Sequence, residues 1–106
     1  MILKELYEII KERKTTPAQG SYTSYLFDKG TDKILKKIGE ESAEIIIAAK
    51  GNDKQEQINE ICDLTYHLLV LMAQLNIDIN EVNEVLEQRR LKISNLKQIK
   101  NTDLNT

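Results

Sequence analysis

Four carboxylates stand out by type and spacing: Glu41 and Glu44 lie three residues apart, and so do Glu60 and Asp63. On a helix, residues at this spacing project from one side, so two helices decorated in this way can turn their acidic pairs toward each other. Like charges held so close repel, more strongly when partly desolvated, and Glu40 adds to the local negative density. A cation has to compensate. The chain has one His and one Cys and so no His–Cys cluster for a soft metal. Oxygen donors alone select a hard ion, and magnesium takes a few carboxylates while leaving positions to water and substrate phosphates. The plain alternative is two solvated helix faces, where Glu is common.

The elements that must position these acids are helical by pattern. Ile2, Leu3, Leu6, Ile9 and Ile10 recur at helical spacing, and the pattern breaks over 15–24, which holds the only proline, Pro17, and Gly20. Thr31 caps a second helix that runs to Lys50, where Gly51 and Asn52 stop it. Its apolar arc is Ile34, Leu35, Ile38, Ser42, Ile45, Ile46 and Ala49. Glu41 and Glu44 fall roughly 60° and 120° from the centre of that arc, so the pair is expected to border the core, neither buried nor fully solvated. Ile47 points the other way and asks for a second covering surface.

A third helix starts near Asp53, and its stretch 64–73 is apolar nearly all round, which predicts a central position. Asn76 closes it, and Asp78 with Glu81 forms a capping box for a fourth helix carrying Ile79, Val82, Val85, Leu86 and Ile93. The polar segment 95–106 is expected to fray, which leaves 1–94 as a single all-α domain. So short a bundle with one helix buried all round leaves apolar surface on a monomer, so a homodimer or larger assembly is expected.

Composition narrows the function classes. The chain has 106 residues, 41% of them hydrophobic and 5% aromatic, with no Trp, which suits packed helices better than a sandwich or barrel. A formal charge of -2 and a pI near 5.4 give no footprint for nucleic acid. Residues 1–14 mix both charge signs, unlike a signal peptide, and no apolar run reaches membrane-spanning length. Cys62 cannot form an internal disulfide; in its apolar stretch it is expected to pack as a small hydrophobe, in a reducing cytoplasm.

The runs GEESAEIIIAAK at 39–50 and EICDLTYHLLVLM at 60–72 resemble the phosphoribosyl-ATP pyrophosphatases of histidine biosynthesis. These belong to the MazG-like all-α nucleoside triphosphate pyrophosphatase superfamily. The similarity extends through SYTSYLFDKGTDKILKK at 21–37 and VLEQRR at 85–90. The superfamily pattern E-x-x-E followed by E-x-x-D falls on Glu41, Glu44, Glu60 and Asp63, which the resemblance implies are Mg²⁺ ligands. The SYT, GEE and DLTYHLL phrases are those similar to the histidine-pathway family in particular.

What the resemblance implies is a four- to five-helix MazG-like bundle whose core is completed by dimerisation. It also implies Mg²⁺-dependent hydrolysis of phosphoribosyl-ATP to phosphoribosyl-AMP and pyrophosphate. Ser42 and Thr65 depart from the family's usual small or apolar residues. The Cys and His cluster of the cyclohydrolase domain fused to this enzyme in many bacteria is absent, so only the pyrophosphatase step is expected.

Further candidates surround the acids. Ser21, Tyr22 and Thr23 follow Gly20 and offer hydroxyls and backbone donors to a phosphate or ribose, a reading the family pattern favours over a simple turn. Lys37 is the choice among Lys33, Lys36 and Lys37 to help neutralise a triphosphate. Arg89 matches an arginine that recurs near the end of the family's last helix, where it meets either a phosphate or a salt-bridge partner. Glu41 is the favoured base for activating water, with Glu40 as the alternative. His67, one turn after Asp63, is either a satisfied core histidine or a support for a ligating carboxylate. Two other functions share this frame: a housekeeping nucleoside triphosphate pyrophosphatase and a non-catalytic helical dimer.

Overall fold

A computed structural model describes residues 1–92 and 100–104, and among these the chain forms six helices and no strand. They are α1 (Ile2–Thr15), α2 (Tyr22–Lys29), α3 (Thr31–Lys50), α4 (Lys54–Gln74), α5 (Ile79–Arg90) and α6 (Asn101–Leu104). The turn at 51–53 folds α4 back along α3, and this pair makes the most extensive contact in the chain; α1 packs on α4 and α2, and α2 also packs on α3. Ile93 and the boundary at 94/95 lie outside the described residues.

Local chemistry sets the helix ends. Asp53 caps α4 by accepting the Glu56 N–H at 3.1 Å, and Glu81 completes the expected capping box by accepting the Asp78 N–H at 2.8 Å. Asn76 ends α4 in the left-handed conformation, φ 58°, with the Ile77 N–H returning to the Met72 carbonyl at 2.8 Å. Lys14 donates to the Ala73 carbonyl at 2.8 Å, placing a cation at the negative end of α4.

Helix α2 was not apparent from the sequence. Its aromatic and hydroxyl-rich residues, YTSYLFDK, carry little helical propensity. It forms because Ser21 accepts the Ser24 N–H at 3.1 Å and because Leu26 is driven wholly into the core. Gly30 then links α2 to α3 without a loop: its φ of 93° is open to glycine, while its N–H caps Leu26 and its carbonyl receives the Ile34 N–H.

The core is Tyr7, Ile10, Leu26, Ile34, Leu69, Val70, Ala73 and Ile79, each large side chain contributing about 1.5–3 kcal/mol on burial. Three expectations are corrected. The face that α3 turns inward runs through Ile34, Glu41 and Ala48, while Leu35 is 48% and Ile46 64% exposed, because α4 covers only one side of the arc. Helix α4 is buried along His67, Leu69, Val70 and Ala73, but the stretch 64–73 is not buried all round, since Leu68 is 42% exposed. Cys62 is exposed rather than packed.

Candidate metal centre

Glu41 comes from α3, and Glu60 and Asp63 from α4; each offers one carboxylate oxygen, and these oxygens lie within 4.8 Å of one another. Glu41 is only 6% exposed, more deeply set than the helical arc suggested, because it occupies the centre of the face that α4 covers. Glu60 is half-buried and Asp63 exposed, so the cluster opens from the α3–α4 seam to solvent. Glu44, one turn beyond Glu41, stands outside this trio but within interaction reach of both Glu60 and Glu41.

The electrostatics are those of crowded acids. Burial holds the Glu41 carboxyl above its ordinary range, with the Glu44 and Asp63 charges adding to the effect although the adjacent Glu60 carboxyl opposes it. The adjacent Glu44 carboxyl, then desolvation, then Glu41 push Glu60 up to about 7. Glu41 Oε2 and Glu60 Oε2 are both buried without a hydrogen-bond partner. Buried orphaned oxygens are rare and call for a partner. Two of them in an all-oxygen donor set fit a hard divalent cation.

The other predicted residues are distributed around this seam. Lys37 donates to Glu40 Oε2 at 3.0 Å, and this bond holds Glu40 below the usual carboxylate range. Ser21 Oγ is committed to capping α2, and Thr23 Oγ1 bonds the Tyr66 hydroxyl. Tyr22 hydrogen-bonds His67 Nε2 at 3.0 Å and lies within electrostatic reach of Lys37 and Glu41. His67 is buried, and its Nδ1 meets the backbone carbonyl of Asp63 at 2.8 Å rather than a carboxylate. Arg89 sits near the end of the exposed α5, where its neighbour Arg90 pairs with Glu87. Ser42 and Thr65 each return their hydroxyl to the carbonyl four residues back, at 2.8 Å, and touch none of the acids.

Sequence reasoning missed Tyr66, Tyr25 and Asp28. Tyr22 stacks with both Tyr25 and Tyr66, with ring centroids 6.0 and 6.1 Å away. A cavity of about 590 Å³ beside them is lined by Gly20, Ser21, Tyr22, Tyr25 and Asp28. Tyr25 and Asp28 were missed because α2 itself was not recognised, and Tyr66, on α4, because its partner Thr23 lies 43 residues away.

An all-α bundle whose two longest helices face each other across a carboxylate cluster is consistent with a MazG-like fold. Within that class the chain belongs to the phosphoribosyl-ATP pyrophosphohydrolase family, whose sequence profile matches residues 3–90. It is 54% identical over 101 residues to a phosphoribosyl-ATP pyrophosphatase of Clostridium botulinum, covering 95% of this chain and 92% of that protein. It is 55% identical over 102 residues to the phosphoribosyl-ATP pyrophosphatase of Listeria welshimeri, covering 96% and 98%. The protein of that name from Listeria monocytogenes serotype 4a is 58% identical over 99 residues, covering 93% and 95%. Among the described residues, no helix is long and apolar enough to cross a membrane.

Proposed function

We propose that this chain hydrolyses phosphoribosyl-ATP to phosphoribosyl-AMP and pyrophosphate with Mg²⁺, the second step of L-histidine biosynthesis, in the cytoplasm. The observation that carries the chemistry is the pair of buried, unpartnered oxygens on Glu41 and Glu60 beside Asp63. The substrate rests on family membership. In this reading Glu41, Glu60, Asp63 and Glu44 hold Mg²⁺, which when bound neutralises triphosphate charge and acidifies water. Glu41 takes the proton from the attacking water as the α–β anhydride breaks and pyrophosphate leaves with the bond's electrons. It stands in the seam beside Glu60 and Asp63, whereas Glu40 is engaged by Lys37. Lys37 and Arg89 supply positive charge toward phosphates, and the Ser21, Tyr22 and Thr23 segment borders the rest of the substrate. Residues 1–94 form the catalytic unit.

Pyrophosphate release should be far faster with phosphoribosyl-ATP than with dCTP or dUTP. The gene should also restore growth without histidine to an auxotroph lacking this step. A preference for a simple nucleotide overturns the substrate assignment.

The functional unit is a homodimer in this reading. Ile58, Ile61 and Leu68 recur on α4 at spacings of three and seven, the pattern of a helix–helix seam, Leu75 continues it at the C-cap, and all are exposed. Val82, Val85 and Leu86 extend the uncovered apolar surface onto α5. Sedimentation should show a dimer that Leu68→Lys converts to monomer; a monomeric wild type sinks the assignment.

A further inference from the structure

The hydrogen bonds around His67 fix which way a proton points in the candidate site. The Asp63 carbonyl oxygen can only accept, so His67 Nδ1, 2.8 Å away, carries the proton. With the ring uncharged, Nε2 is left as an acceptor, and the Tyr22 hydroxyl, 3.0 Å away, donates to it. The arrangement is tightly held. His67 is buried, its ring meets Tyr22 and Tyr66 edge-on at 5.8 and 5.1 Å, and the adjoining Thr23–Tyr66 hydrogen bond ties α2 to α4 a second time.

Tyr22 has one proton, and His67 takes it. What the phenol has left is lone pairs, on a side chain 44% exposed and near both Lys37 and Glu41. A phosphate oxygen is itself an acceptor and gains nothing from such a group; a hydroxyl does. The cavity that Tyr22 also lines carries a second ring at Tyr25 and the carboxylate of Asp28, together with the hydroxyls of Ser21 and Ser24. Two aromatic faces beside a carboxylate suit a neutral nucleoside, with its stacking base and donor hydroxyls, better than a phosphate.

We infer that Tyr22, oriented by His67, is a hydrogen-bond acceptor for a hydroxyl of the substrate's nucleoside ribose, and that the Tyr22–Tyr25–Asp28 side of the site holds the nucleoside rather than a phosphate. This rests on the proposed function for the substrate and deepens it. His67 is a positioning residue: it acts through Tyr22.

The test pairs a substitution with substrate analogues. Tyr22→Phe should raise KM for phosphoribosyl-ATP about tenfold, with a smaller fall in kcat, the loss of one good hydrogen bond. The penalty should shrink to less than about twofold for whichever of the 2′-deoxy and 3′-deoxy analogues lacks the partner hydroxyl, because that substrate has already lost the bond. His67→Asn should reproduce the Tyr22→Phe penalty, and the double variant should be no worse than the worse single one. Equal penalties on all three substrates, or additive losses, overturn the inference. The ¹⁵N shifts of His67 in the unmodified protein provide a readout that needs no turnover: Nδ1 protonated with Nε2 bare supports the orientation, and the reverse tautomer refutes it. Failure of the unmodified protein to turn over phosphoribosyl-ATP refutes the substrate assignment instead, and the ¹⁵N result still decides the hydrogen-bond direction.

Discussion

Glu41→Gln should cut pyrophosphate release by roughly 10²–10⁴-fold, the range of a lost general base, while leaving the helices intact. Glu41 sits buried on α3 with Oε2 unpaired, facing Glu60 and Asp63 across the seam. The amide nearly matches the carboxylate in shape but brings no charge, accepts no proton and binds a hard cation weakly. Calorimetric Mg²⁺ titration should therefore show reduced affinity in the same variant. In EDTA its melting temperature should equal or exceed that of the unmodified protein, because one of several mutually repelling acids is gone. A merely structural role for Glu41 predicts a lower melting temperature with turnover retained, and that pair of results would remove it from the catalytic centre.

The features legible in sequence were those set by local chemistry. The acid pairs, the capping box at Asp78 and Glu81 and the stop at Asn76 are each written within a few neighbouring residues, and the structure realises them within one turn. Burial depth was not local. A single apolar arc on α3 merged two faces, one meeting α4 along Ile34, Glu41 and Ala48, the other carrying Leu35 and Ile46 outward. Averaging them swung the expected core away from Glu41 and made it look peripheral. The same merging made α4 look buried all round. Helix α2 was lost for a different reason: tertiary burial of Leu26 and two hydrogen bonds to α4 override its poor propensity. The partners of Tyr22 and Thr23 lie 45 and 43 residues away, beyond the reach of any local pattern. Spacing pointed to the three acids that the structure gathers, Glu41, Glu60 and Asp63, while the aromatic side left no local pattern.

Without divalent cation, the protein should lose thermal stability as pH rises from about 5 to 8, and Mg²⁺ should reverse the loss at the upper end. Glu60 has its folded-state pKa pushed up to about 7, above the ordinary 4.5, by the adjacent Glu44 carboxyl, by desolvation and by Glu41. The folded chain consequently holds this proton more tightly than the unfolded chain. That contribution is fully present below the unfolded value and is lost as pH climbs through the folded one. Glu41, raised in the same direction, adds to the slope. Cation and proton compete for the same oxygens, so Mg²⁺ affinity should rise across this window and level off above it. Glu60→Gln removes one titrating site and should flatten both curves. Melting temperatures in EDTA and in Mg²⁺, measured across pH for both proteins, decide the matter: a metal-free melting temperature that climbs from pH 5 to 8, or a Glu60→Gln profile as steep as the unmodified one, would uncouple this cluster from stability and from metal.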